Sequence, residues 1–468
     1  MNVAESIEYL SVSELVRRYR GGSLSPVDAV EAAFRRLEQV EPKINAFCHV
    51  ADREDCLSQA RDSEARWHKR EPKGLLDGVP ITVKDTILAK GWPARRGSRL
   101  SDAAPVSEDS PGVQRMREEG AILLGKTTTP EFGWKGVTDS PLSGITRNPW
   151  NIDKTPGGSS GGSAAALAAG VGHAALGTDA GGSVRIPGSF CGLVAIKATV
   201  GRVPNYPLSA AGNLGHVGPM THTVEDAALM LTIMAEPDPR DWFCLPAPDL
   251  DYRVGLNGGV RGLRIAWSPT LGYAKVEPEV AALTAKAIRV FEEMGATVEE
   301  VEAPFEDPTE VFRTHFFAGF AHAFHNFTSE QLDLLDPGLK QVVVEQARKV
   351  TLEDYMTALD RRGALGRATR AFHQKYDLLL TPTLAVAAFT AGRLVPEGWA
   401  EDWLPWAPFA FLFNLTGQPA ATVPCGFTEA GLPVGLQVVG GLHQDALVLR
   451  AAQAYQSARP TLDRRPPL

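Results

Sequence analysis

A chain of 468 residues with 44% hydrophobic and 22% charged residues has the makeup of an ordinary globular protein, which excludes a disordered polymer and a disulfide scaffold as its class. The formal net charge of −8 is spread along the sequence with no lysine or arginine run, so nucleic acid is not an expected partner. Cys48, Cys56, Cys191, Cys244 and Cys425 form no C-x-x-C pair, and the first residues are acidic with no apolar stretch after them. The expectations are a reducing cytoplasm, no export signal and no zinc.

In chain order, apolar residues at three- and four-residue spacing predict helices over Ser11–Arg20 and Pro26–Val40, with Ser25 as a cap and Pro26 in the first turn. A third helix is expected over Arg53–Lys69. The segment from Val79 to Lys84 alternates with period two, predicting a strand whose C-terminal end delivers Lys84, and strand ends are where α/β sheets place chemistry. Downstream, Pro111–Glu119 reads as a helix, Ala121–Leu124 as a buried strand and Ser163–Gly172 as an Ala-rich helix. Gly262–Trp267, Glu277–Met294 and Ala296–Val301 read as a βαβ-like unit, and Asp377–Pro382 and Leu436–Gly440 as further strands.

The longest uncharged run lies between Lys154 and Asp179 but consists of Gly, Ser and Ala, so no membrane span is expected. With no internal repeat or linker, one domain over 1–468 is the simplest account. Its parts are an N-terminal helical segment (1–70), a core (71–230), a helix-rich, cap-like region (304–374) and a returning C-terminal part of the core (375–468).

Two segments, Thr155-Pro-Gly-Gly-Ser-Ser-Gly-Gly-Ser163 and Gly177-Thr-Asp-Ala-Gly-Gly-Ser-Val-Arg-Ile-Pro187, set glycines beside serines. Glycine costs backbone entropy, so such clusters mark unusual dihedrals or amides that another group must approach. Phosphate cradling fails: Gly157 and Gly162 have the Walker spacing, but Ser163 and Ala164 stand where Lys and Ser/Thr belong. A G-x-S-x-G nucleophile elbow is satisfied twice, at Gly157–Gly161 and Gly158–Gly162, with His216, His222 or His443 available downstream. It lacks a preceding apolar strand and stays open at this point. Cys191, in an apolar setting, reads as a buried structural thiol.

These two segments, with Leu76-Asp-Gly-Val-Pro-Ile-Thr-Val-Lys-Asp85, Gly125–Phe132, Gly218–Met220 and Gly431–Gln437 in the same order, resemble the amidase signature family along most of the chain. One departure is Ala198, where that family usually has proline after the lysine. The resemblance implies a single α/β domain built on a large mixed, twisted β-sheet flanked by helices on both faces. It also implies a Ser-cisSer-Lys triad with Ser183 as nucleophile, Ser159 as bridging serine and Lys84 as base, and a cis peptide at Ser159. Ser160, Thr178, Asp179 and Arg185 are implied as hydrogen-bonding supports.

The chemistry explains the residue types, since a serine hydroxyl needs a base to attack and a lysine serves only when its pKa falls from about 10.4. The backbone N–H groups of Ala180, Gly181, Gly182 and Ser183 are the oxyanion-hole candidates. Lys126, Lys154 and Lys197 are rival bases, but none ends the matching strand. No metal and no cofactor are expected.

Aromatic segments at Phe312–Phe320, with Phe324 and Phe327, and at Trp399–Phe409 are candidates for pocket lining or for plain core. Gly133, Trp134 and Phe316 are the substrate-binding candidates. The expected substrate is a small apolar or aryl amide, with esters and carbamates (urethanase activity) as extensions, and a homodimer is an admissible assembly. The alternative is the glutaminase subunit of an amidotransferase complex, against which the aromatic enrichment counts. A noncatalytic homologue is disfavoured because every triad position is filled.

Overall fold

Most of the expected helices form, and side-chain caps account for their starts. In a computed structural model describing residues 6–248, 250–302, 305–399, 402–460 and 464–468, Ser11 accepts from Glu14 N to open Val12–Gly21. Ser25 caps Pro26–Ile44 in a box closed by Asp28, and Asp52 caps Arg53–Lys69. The Ala-rich helix runs Gly161–Ala168 rather than from Ser163 to Gly172. It stops short because Gly170 turns left-handed, at φ +86°, a conformation open to glycine and closed to helix propagation.

Among the described residues the strands are β1 Phe47–Val50, β2 Pro80–Lys84, β3 Ile122–Thr127, β4 Asp139–Ser140, β5 Gly144–Ile145, β6 Ala174–Asp179, β7 Val194–Lys197, β8 His216–Thr221, β9 Arg264–Trp267, β10 Thr297–Glu300, β11 Leu378–Pro382, β12 Ala420–Phe427 and β13 Pro433–Gly440. β4 and β5 make a small ribbon; the others form one 11-stranded sheet in the order β1-β3-β2-β6-β8-β7-β12-β13-β11-β9-β10. The sheet is mixed. β3, β2 and β6 run parallel, β9 pairs in parallel with both β10 and β11, and the strands between alternate in direction. The expected βαβ unit is thus present as β9, the helix Pro278–Glu293 and β10.

Period-two alternation divides the interior into two layers. On one face Leu378, Leu380, Ile265, Ile81 and Val83 join an aliphatic core that includes the helix Val224–Met234. On the other, Leu379 and Ala266 join an aromatic-rich core, while Ile122 and Leu124 pack under the N-terminal helices. Helices therefore cover both faces.

The aromatic core is roofed by the cap-like region, whose main helices are Thr309–Ala323 and Leu352–Lys375. Pro304, its first expected residue, lies outside the described residues. Lys135, which donates to Asp336 Oδ2 at 3.0 Å and Asp139 Oδ2 at 2.7 Å, ties the roof to the ribbon beneath it. No helix among the described residues is long and apolar enough to cross a membrane.

Candidate active site

Parallel pairing brings the first components together. β2 lies between β3 and β6, both parallel to it, so the C-terminal end of β2, with Lys84, is carried to the same edge as the end of β6, with Thr178 and Asp179. All five residues of β2 are buried. The Lys84 amine, wholly enclosed, lies 2.6 Å from Ser159 Oγ and donates to Thr178 Oγ1 at 2.8 Å. Burial disfavours its charged form and lowers its pKa to about 7, against the opposing pull of the Asp179 and Asp85 charges.

Ser159 and Ser160 precede the helix Gly161–Ala168, every residue of which is buried. Apart from Leu167, its residues are all Gly, Ser or Ala, the small side chains that a helix enclosed on every side can hold. The Gly158–Ser159 peptide is cis, as the resemblance implies. Ser160 Oγ accepts from Thr178 N and donates to Thr178 O, and Ser160 N donates to the Ser183 carbonyl at 3.2 Å. The two glycine-serine segments are thereby bonded to one another. Gly133, at φ +71°, lies so close that an added Cβ would stand 3.1 Å from Ser159 Oγ.

The loop from Asp179 to Ser183 is organised by one fully buried ion pair. Arg185 donates through Nε and Nη2 to both oxygens of Asp179, each at 2.9 Å, and also reaches Asn414 Oδ1, Gln437 Oε1 and the Ala410 carbonyl. Burial alone would raise the Asp179 pKa, but the Arg185 charge and hydrogen bonds outweigh it and hold the carboxyl well below the usual range. The carboxylate then accepts from Gly182 N at 2.8 Å. This corrects one expectation: the Gly182 amide is committed to Asp179 and is not a free donor. The amides of Ala180, Gly181 and Ser183 have no acceptor among the described residues.

Ser159, Thr178, Ala180 and Ser183 open together on a pocket of about 70 Å³. The Ser183 hydroxyl accepts from and donates to no described residue, while Ser159 Oγ accepts from Lys84 Nζ. Catalytic hydrogen bonds often tighten only when substrate is bound. Gly133 and Phe316 border the pocket as expected, joined by Phe132, Phe320 and Thr86. Trp134 does not: it is buried against Gly338 of the roof, because left-handed Phe132 and Gly133 swing the chain away.

Sequence reasoning did not single out Asn414 or Gln437, which complete the Arg185 network. Gln437 closes a landmark segment and so carried a signal, whereas Asn414 carried none. In the aromatic segment Trp399–Phe409, Ala400 and Glu401 lie outside the described residues.

The rivals are accounted for. Lys126 Nζ donates to the carbonyls of Ile87 and Asp85, and Lys197 Nζ to those of Gln418 and Ala198. Lys154 sits in an isolated bridge with Thr390. No described histidine is hydrogen-bonded to Ser159 or Ser183. Burial lowers the pKa of His216 and His222 to about 3. The chain from Arg147 to Thr155 is loop and isolated bridge rather than strand, which removes the nucleophile elbow. Cys191 is buried, its thiol pKa raised by burial, and it donates to the Pro156 carbonyl at 3.6 Å.

Comparison with known proteins agrees with this geometry. The amidase family's sequence profile matches residues 28–449. An acylamidase from Rhodococcus erythropolis is 38% identical over 474 residues, covering 99% of this chain and 98% of that protein. A glutamyl-tRNA(Gln) amidotransferase subunit from Chloroflexus aggregans is 36% identical over 495 residues, covering 99% of both. The crystal structure of a bacterial aryl acylamidase superposes with a TM-score of 0.89 at 30% identity, covering 97% of this chain and 96% of that one. The chain belongs to the amidase signature family and is a hydrolase of amide carbon–nitrogen bonds.

Proposed function

We propose that the chain is a stand-alone acylamidase acting on small apolar or aryl amides, with esters and carbamates as further substrates, and that Ser183, Ser159 and Lys84 carry the reaction. Lys84 is neutral above about pH 7 and takes a proton from Ser159 across 2.6 Å. Ser159 takes one from Ser183 as its oxygen bonds to the substrate carbonyl. The amides of Ala180, Gly181 and Ser183 receive the developing oxyanion, and Asp179 holds their loop through Gly182 N and Arg185. The same relay returns a proton to the departing amine, and water then releases the acyl group from Ser183.

One observation carries the substrate reading. The described walls of the pocket hold Phe132, Phe316 and Phe320 and no Asp, Glu, Lys or Arg, and its single histidine, His216, has its pKa lowered to about 3. Glutamine carries an ammonium and a carboxylate, and burying both without counter-charges is costly. An apolar amide meets no such penalty. The amidotransferase alternative has a close relative in its favour and this pocket against it. The five unpaired thiols fit the reducing compartment expected from the sequence.

The test is to assay the purified chain alone on nitroacetanilide and on glutamine. The acylamidase reading expects anilide turnover without a partner, an adduct on Ser183 with a sulfonyl fluoride, and a loss on the order of 10⁴-fold or more in Ser183→Ala. Glutaminase activity appearing only with a partner protein would replace it.

A further inference from the structure

A ring does not fit in the catalytic pocket: a cavity of about 150 Å³ is what takes up benzene, and this pocket offers about 70 Å³. A chamber of about 460 Å³ lies beside it. The two share Asn205, Ala210, Ala211 and Gly215 as lining, so a single strand of chain, residues 205–215, is the partition. The outer chamber opens to solvent past Trp242, which is 80% exposed, Leu208, 50% exposed, and Phe243, 39% exposed. Trp242 and Phe243 stand edge to face with centroids 5.3 Å apart. Aromatic side chains left in water around a concavity of ligand size mark a binding surface.

The partition is anchored at its ends, by Asn205 N to Asp241 Oδ2 at 2.8 Å, Tyr206 OH to Glu108 Oε1 at 3.3 Å and Asn414 Nδ2 to the Leu214 carbonyl at 3.2 Å. Among the described residues its middle, residues 207–212, has hydrogen bonds only to the partition itself, as in Gly212 N to Ser209 O, Leu214 N to Ala211 O and Gly215 N to Gly212 O. The outer bend is tied down by Arg362 Nη1 to Asn213 Oδ1 at 2.8 Å. Its seat is Gly319 of the helix Thr309–Ala323, where an added Cβ would stand 1.8 Å from the Ala210 carbonyl oxygen.

We propose that the outer chamber is the leaving-group subsite. The arylamine half of the substrate lies against Trp242 and Phe243, its small acyl half sits at Ser183, and residues 207–212, which include the shared lining residues Ala210 and Ala211, shift to join the two spaces. The direction follows from the chemistry: the acyl group stays bonded inside while the amine must depart, and the solvent-open chamber is the side on which it can leave. The proposal rests on the acylamidase reading above.

The experiment compares N-(2-naphthyl)acetamide with acetamide on the wild type and on two variants. Trp242→Ala touches an exposed side chain and does not threaten the fold, and Gly319→Ala displaces the partition. The expected result for Trp242→Ala is a fall of about tenfold in kcat/KM on the naphthyl amide relative to acetamide. Gly319→Ala is expected to shift the same ratio, with circular dichroism checking that it folds. A second series, anilides of lengthening acyl chain, is expected to respond equally in wild type and Trp242→Ala. An unchanged ratio, or a Trp242 effect that tracks the acyl chain, overturns the subsite and leaves the acylamidase reading standing. A wild type that turns over acetamide but no anilide removes both.

Discussion

The segment from Thr155 to Cys191 and the aromatic cluster of Phe312, Phe316, Phe320, Trp403 and Phe411 in the roof are both buried, but they are built on opposite rules. In the first, polar groups are spent on one another: Lys84 on Ser159 and Thr178, Ser160 on Thr178, Asp179 on Arg185 and Gly182. Each bond fixes the position of the next, and an unpaired member would carry its full desolvation cost. In the second, contact is between rings, as in Phe312 stacked on Phe316 at 5.1 Å and on Phe411 at 4.9 Å. Ring contacts tolerate changes of shape that hydrogen-bond networks do not. On the proposed function, the first region is the place for chemistry and the second for substrate shape.

The sharpest way to break that division is at the point where the regions touch. Gly181 is backed by Phe312, so an added Cβ would stand 2.6 Å from Phe312 Cζ and 3.2 Å from Trp403 Cη2. Gly181→Ala is expected to push one oxyanion donor out of place and lower kcat on the order of 10²-fold with little change in KM. Phe312→Leu on that background is expected to restore at least tenfold of it, as coupled neighbours do. Additive losses in the double variant would mean that the roof does not set the loop.

A second test separates two lysines inside the first region. Burial lowers both Lys84 and Lys197 to about 7 from an ordinary value near 10.5, yet only Lys84 meets hydroxyls. Between about pH 7 and about 10.5 the unfolded chain binds more protons than the folded one at each site, so both contribute stability that rises with pH across that window. Only Lys84 is expected to govern rate, with kcat/KM falling about tenfold per unit below about pH 7. Lys197→Met is expected to flatten the stability profile and leave the kinetic inflection in place. An inflection that moves with Lys197→Met would transfer the base role.

How far this was legible in the sequence follows the same division. Lys84, Ser159 and Ser183 lie in long segments whose residue types are constrained by bonding, and the strand reading of Val79–Lys84 puts the lysine at the right edge. The chargeless run before Asp179 has its reason only in the fold, because its helix is buried on every side.

Which amide is free was not legible. That depends on where Asp179 turns, which is set by Arg185 together with Asn414, and Asn414 is 235 residues away. The position of Trp134 was equally hidden, because two successive left-handed residues reverse the chain just before it.

The aromatic stripe shows the limit most clearly and gives the smallest test. Phe312, Phe316, Phe320 and Phe324 recur every four residues and so share one helix face, yet Phe312 backs Gly181 while Phe316 and Phe320 wall the pocket. Spacing alone cannot tell them apart, since both roles ask for the same buried ring. Kinetics can. Phe320→Leu keeps the position apolar at a stability cost of about 1–3 kcal/mol for the lost ring volume. It is expected to raise KM for anilides a few-fold with kcat nearly unchanged, because the lost contact is made equally in ground and transition states. A loss in kcat at constant KM would place Phe320 with the bonded region instead, as a residue that holds the reacting groups rather than the substrate.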